Sequence, residues 1–112
     1  MMSDRSAVAI PDPVTRLGIQ TQALEAFCTH WKITELAFFG SVLGPRFRTE
    51  SDVDVLVTFA PGAGHSLFDL ITAQEELEAL LGRSVHLVER RALRNPFVRH
   101  EVLRTHRVAY AA

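Results

Sequence analysis

Residues 40–57 constrain this chain more than any other stretch. They read Gly40-Ser41, ten further residues, Asp52-Val53-Asp54, and then the apolar Val55-Leu56-Val57. Strand side chains alternate between faces. A strand running from Val53 to Phe59 therefore puts Val53, Val55, Val57 and Phe59 on one face and Asp52, Asp54, Leu56 and Thr58 on the other. The first face belongs to a core. The second begins with two carboxylates that repel each other unless a cation lies between them. A pair of divalent ions bridging a nucleoside triphosphate meets that need. A Gly-Ser turn opening a short helix would complete the site, because free N–H groups at a helix start receive phosphate.

The flanking segments read as alternating helices and strands. Glu35-Leu36-Ala37-Phe38-Phe39 is nearly all apolar and stops at Gly40, the pattern of a central strand buried on both faces. Residues 41–47 are expected to form a short helix or turn, limited by Gly44-Pro45. Upstream, Val14, Leu17, Thr21, Leu24, Cys28 and Trp31 recur at steps of three and four. That spacing predicts one amphipathic helix over residues 14–31, with Cys28 and Trp31 on its buried stripe. Downstream, Ser66 is placed to cap a helix that carries Leu67, Leu70, Ile71, Gln74, Leu77 and Leu81 on one stripe and ends at Gly82. Residues 84–89 form a third strand, with Val85 and Leu87 on one face and His86 and Val88 on the other. Asn95-Pro96 caps a last helix of weak amphipathicity, and residues 108–110 suit a short terminal strand. The expected class is α/β (α+β), a small mixed sheet packed with helices.

At 112 residues the chain holds one core. Residues 1–13, broken by Pro11 and Pro13 and without the apolar centre of a signal peptide, read as a flexible lead-in to a domain spanning residues 14–112. No apolar run approaches the roughly 20 residues that span a bilayer. A formal net charge of −1 gives no general electrostatic case for direct nucleic-acid binding. Arg90, Arg91, Arg94, Arg99, Arg104 and Arg107 form either a solvated helix face or a phosphate- or partner-facing surface. The single Cys28 has no partner for an internal disulfide, which fits a reducing, cytoplasmic compartment. His30, His65, His100 and His106 show no metal-ligand spacing.

Each residue of the motif has a chemical reason to be there. Asp52 and Asp54 offer the hard oxygens that Mg²⁺ prefers. Gly40 lets backbone approach the phosphates closely. Ser41 offers its hydroxyl and its N–H, helped by the positive end of the helix it starts. Arg48 stands a few residues before the carboxylates, placed to offset phosphate charge.

This arrangement resembles the minimal nucleotidyltransferase (MNT) family, the smallest branch of the polymerase-beta-like nucleotidyltransferase superfamily. The matching text is Leu36 through Leu43, then Phe47 through Val57. The similarity continues through Leu81-Gly82-Arg83-Ser84-Val85 and Arg90-Arg91-Ala92-Leu93 to Val108-Ala109-Tyr110, covering roughly residues 20–112. The resemblance implies a nucleotidyltransferase fold and transfer of AMP from ATP to an acceptor, with Mg²⁺ or Mn²⁺ as cofactor. It implies catalytic and metal-binding roles for Asp52, Asp54 and the residue at position 86, and nucleotide contacts from Gly40, Ser41, Arg48 and Ser51. Many relatives are antitoxins that attach AMP to a tyrosine of a HEPN-domain ribonuclease toxin. A HEPN-type toxin is therefore the implied partner, and a homo- or hetero-oligomer the implied assembly.

One position departs from the family pattern. His86 stands where the resemblance expects a third aspartate, in Val85-His86-Leu87-Val88. Imidazole suits Mn²⁺ or Zn²⁺ better than Mg²⁺. Three roles are open for it: a working ligand or base with altered metal preference, an inactivating change in a protein kept for binding, or a surface position. In the last case Glu89 is the nearest acidic residue, but strand alternation puts it on the opposite face. The alternative to an adenylyltransferase is accordingly a catalytically degenerate antitoxin that neutralises its toxin by binding alone. A small-molecule nucleotidyltransferase is a third reading, though such enzymes usually hold the acceptor on a second domain.

Overall fold

The computed structural model describes residues 10–112. Its centre is strand β1 (Ile33–Phe39), which pairs antiparallel with β2 (Val53–Phe59) on one side and with the terminal strand β4 (Arg107–Ala111) on the other. Strand β3 (Val85–Glu89) runs parallel to β2 on its outer edge, giving one mixed sheet in the order β3-β2-β1-β4. The α/β class expected from the alternating segments is the one observed. The terminal strand makes β1 an interior strand, which explains its apolar run: Ile33, Leu36, Ala37 and Phe38 are all buried.

The two faces of the sheet are covered unequally. Leu36 and Phe38 of β1 join Val53, Val55 and Val57 of β2 and Val85 of β3 in the main core. That core is closed by Leu24, Phe27 and Cys28 of helix α2 (Thr21–His30) and by Ala73 and Leu77 of helix α3 (Leu67–Leu81). The opposite face holds a smaller cluster of Ala37, Leu56 and Val102, the last from helix α4 (Pro96–Thr105). Burying each large side chain in the main core stabilises the fold by about 1.5–3 kcal/mol, so the α2/α3 side carries most of the stability.

Local sequence explains where the helices begin and end. Ser66 and Asp69 form a reciprocal capping box at the start of α3, and Gly82 ends the helix in the left-handed region. The Asn95 side chain accepts from the N–H groups of Phe97 and Val98, and Pro96 takes the first position of α4.

The single helix expected over residues 14–31 is two helices. Helix α1 (Pro13–Leu17) ends at Gly18, whose φ of 68° turns the chain, and α2 begins at Thr21. Gly18 N–H donates to Thr15 O and Ile19 N–H to Val14 O, so the helix-ending carbonyls are satisfied at the break. The apolar spacing runs through the break because both helices pack on the same core. Of the lead-in expected over residues 1–13, residues 1–9 lie outside the described residues; Asp12 and Pro13 are the cap and first residue of α1.

Trp31 and Cys28 are both buried, as their place on the helical stripe requires. The Trp31 indole N–H donates to Glu76 at 2.9 Å, which satisfies its polar end. Cys28 is fully buried, and that burial pushes its thiol up to about 12. Among the described residues, no helix is long and apolar enough to cross a membrane.

Candidate functional site

Asp54 is the hinge of the site, and three neighbours converge on it for three structural reasons. The antiparallel pairing of β1 with β2 sets Phe39 opposite Asp54, which brings Gly40 against the carboxylate. The parallel pairing of β2 with β3 sets His86 beside it. Alternation along β2 turns Asp54 toward the lightly covered face that also holds Leu56, and Asp52, one residue before the strand, lies near enough for its charge to act on Asp54.

Gly40 has φ of 78°, and a Cβ built there would overlap Asp54 Oδ2. Both facts require glycine: the turn is left-handed and the carboxylate occupies the space of a side chain. Residues Gly40–Leu43 then form a single 3₁₀ turn, closed by Gly44 N–H donating to Ser41 O at 2.9 Å. The helix expected to begin near Ser41 is this one turn. No long helix dipole stands behind it, so its polar contribution is confined to its own N–H groups and the exposed Ser41 hydroxyl.

The electrostatics of Asp54 record its crowding. Burial raises its carboxyl above the ordinary aspartate value; His86 pulls it back by hydrogen bonding and by charge, and the charge of Asp52 raises it again. His86 Nδ1 lies 3.4 Å from Asp54 Oδ1. The imidazole is largely solvent-exposed, whereas the Asp54 side chain is mostly covered. A divalent ion near Asp54 would offset both the desolvation and the charge of Asp52.

The other nucleotide-contact candidates sit on the loop between the two halves of the motif. The Ser51 hydroxyl accepts from Arg48 N–H at 3.0 Å, and Ser51 N–H donates to Arg48 O at 3.1 Å. These bonds fold residues 48–51 into a tight turn directly before Asp52. Arg48 itself is exposed. The structure thus gathers Gly40, Asp52, Asp54 and His86 at one place and puts Arg48 and Ser51 on the adjoining turn.

The fit to a metal is that of a shared site. Among the described residues, no three His, Cys, Asp or Glu side chains form a group able to hold a metal ion. The two hard-oxygen carboxylates suit Mg²⁺ or Mn²⁺ when substrate phosphate and water supply the rest of the shell, as Mg²⁺ commonly requires. A cavity of about 540 Å³ opens beside the Gly40 turn, lined by Phe39, Gly40 and Leu43 and by Val102, Thr105 and Arg107 from α4 and β4. Sequence reasoning did not flag Val102 or Thr105, and it placed Arg107 only in an arginine group open to either a solvated helix face or a phosphate- or partner-facing surface. They come from distant segments brought there by the β1–β4 pairing, and no local spacing signals them.

Known proteins share this chain's sequence pattern and fold. The nucleotidyltransferase domain family matches residues 21–109. The protein adenylyltransferase MntA of Thermococcus cleftensis is 40% identical over 63 residues, covering 56% of this chain and 62% of that protein. The solved structure of a candidate minimal nucleotidyltransferase superposes with a TM-score of 0.67 at 33% identity, covering 86% of this chain and 94% of that one. A tri-AMPylated Shewanella oneidensis HEPN toxin in complex with its MNT antitoxin contains a chain that shares the fold, with a TM-score of 0.60 at 16% identity, covering 82% of this chain and 70% of that one.

Proposed function

The chain belongs to the nucleotidyltransferase domain family, and from that premise we propose that it transfers AMP from ATP to a partner protein, as the antitoxin of a HEPN-type toxin. The observation that carries this reading is the packing of the Gly40 turn onto Asp54, with the charge of Asp52 close enough to act on that carboxylate. In this reading Asp52 and Asp54 hold Mg²⁺ or Mn²⁺, and the Gly40-Ser41 turn receives the phosphates with its N–H groups and the Ser41 hydroxyl. When bound, the metal neutralises triphosphate charge and eases deprotonation of the acceptor hydroxyl. Arg48 and Ser51 adjoin the phosphates from the turn before Asp52. The choice of acceptor follows the named adenylyltransferase relative and the AMPylated toxin held by the Shewanella antitoxin. A cytoplasmic location and a complex with the toxin belong to the same proposal, as does a domain that begins near residue 14.

The test is incubation with radiolabelled ATP, Mg²⁺ or Mn²⁺, and a HEPN-domain protein encoded beside this one. Label on that protein, lost in Asp54→Ala, is expected. A second reading has its own observation: His86, standing where the resemblance expects a third carboxylate, has its Nδ1 3.4 Å from Asp54 Oδ1. It makes the protein a binding-only antitoxin. In that case Asp54→Ala neutralises the toxin as well as the wild type does and no label transfers.

A further inference from the structure

The loop from Val42 to Ser51 joins the phosphate-side turn to the carboxylates, and two arginines from outside the motif grip it. Arg16, in α1, donates from one guanidinium nitrogen to Val42 O at 3.0 Å and to Gly44 O at 2.6 Å. Arg83, between α3 and β3, donates to Arg48 O at 3.2 Å and to Ser51 O at 3.3 Å. Both guanidinium groups lie over the ring of Phe47, at 4.9 and 4.5 Å from its centroid. Phe47 itself is half-buried against the main core. The first arginine thus fixes the carbonyls that end the Gly40–Leu43 turn. The second fixes the carbonyls of the turn that delivers Asp52.

We propose that Arg16 and Arg83, joined through Phe47, are positioning residues that set the distance between the Gly40-Ser41 turn and the Asp52–Asp54 carboxylates. The inference goes beyond the nucleotidyltransferase reading but rests on it for what the spacing is for. The ten-residue loop has no regular secondary structure beyond the opening 3₁₀ turn and no core strand of its own. Its carbonyls would otherwise be solvated, and a loop with few packed contacts opens readily. Guanidinium is the group suited to this task, because one of its nitrogens donates to two carbonyls while its planar face rests on an aromatic ring. Lysine's ammonium can donate to the carbonyls but has no planar face to lay on the ring while it does so. Both arginines donate to carbonyls of the loop, so their effect passes through the backbone they hold. Misplacement of a binding group by about 1 Å is enough to cost on the order of 100-fold in a preorganised site.

Amide hydrogen exchange and ATP binding, measured together, test this. The variants are Arg83→Ala, Arg83→Lys, Arg16→Ala and Phe47→Leu, each checked by circular dichroism and thermal melting. Exchange of the amides of residues 42–51 is expected to quicken by about tenfold in Arg83→Ala and Arg16→Ala, with the amides of β2 unchanged. The dissociation constant for ATP with Mn²⁺ is expected to rise by about tenfold, with Arg83→Lys closer to Arg83→Ala than to wild type. If an alanine variant melts early, Arg83→Lys and Phe47→Leu carry the same comparison. Loop exchange at the wild-type rate in the folded variants overturns the clamp. Faster loop exchange with unchanged ATP affinity overturns its positioning role. A wild-type protein that binds no ATP overturns the nucleotidyltransferase reading, and with it the purpose assigned to the clamp, while the exchange data still decide whether the clamp exists.

Discussion

Strand β2 presents two surfaces built from neighbouring residues, and they serve opposite ends. Val53, Val55 and Val57 are sealed under α2 and α3 in the main core. Asp54 and Leu56 alternate with them, but their face meets only α4 and its small cluster. One surface gains stability from complete burial. The other keeps a carboxylate, Asp54, partly desolvated beside a glycine turn, a histidine and a second carboxylate. Such an arrangement is electrostatically costly without a cation, so the stability of the first face is what lets the second face hold it. The site is thus placed where packing is thinnest, on a strand that packing elsewhere holds rigid.

The sharpest contrast comes from truncating one residue on each face. Phe38→Ala, on the core side, is expected to cost about 3–5 kcal/mol in denaturant unfolding. Asp54→Ala is expected to leave stability within about 1 kcal/mol of wild type, since it removes a desolvated charge, yet to abolish AMP transfer. An Asp54→Ala protein as unstable as Phe38→Ala would erase the division between the faces.

Gly40→Ala probes the seam where the turn meets the carboxylate. The left-handed φ and the overlap with Asp54 predict a loss of about 1–3 kcal/mol, accompanied by weakened ATP binding. Retention of both stability and binding would show that the turn can move off Asp54 freely. His86→Asp, which puts a carboxylate where the family resemblance expects one, is expected to raise Mg²⁺-supported transfer; no gain with Mg²⁺ or Mn²⁺ would remove His86 from the metal-ligand set.

The pH dependence of stability separates the faces more gently. The Asp54 carboxyl titrates above its unfolded value, so the folded protein binds that proton more tightly. The Asp54 contribution to stability is therefore fully present below the unfolded value of 3.8 and is lost as pH rises through the higher folded value. Asp54→Asn is expected to remove that descending component from a plot of unfolding free energy against pH. The smallest signal belongs to the core side. Cys28, with its thiol pushed up to about 12, is expected to resist a thiol reagent at pH 9 in the native protein and to react promptly once unfolded.

Much of this division was legible in the residue order, because strand alternation is a short-range rule. Val53 to Phe59 showed its two faces directly, and the glycine before Ser41 marked the turn that the structure packs onto Asp54. Ser66 and Gly82 bracketed α3 because caps are local too. The break at Gly18 was hidden by an apolar spacing that continues across it, since α1 and α2 share one core. The Arg16–Phe47–Arg83 assembly and the cavity beside Gly40 were invisible for a different reason. Their members are far apart in sequence and meet only through the sheet pairing and the docking of α1 and α4.

The most direct test of the central claim, that the carboxylate face is a metal–nucleotide site, is calorimetric titration of ATP into the protein with and without Mn²⁺, alongside Asp54→Ala. Binding is expected to require the metal and to disappear in the variant. ATP binding that persists without metal, or that is equally tight in Asp54→Ala, would contradict that claim.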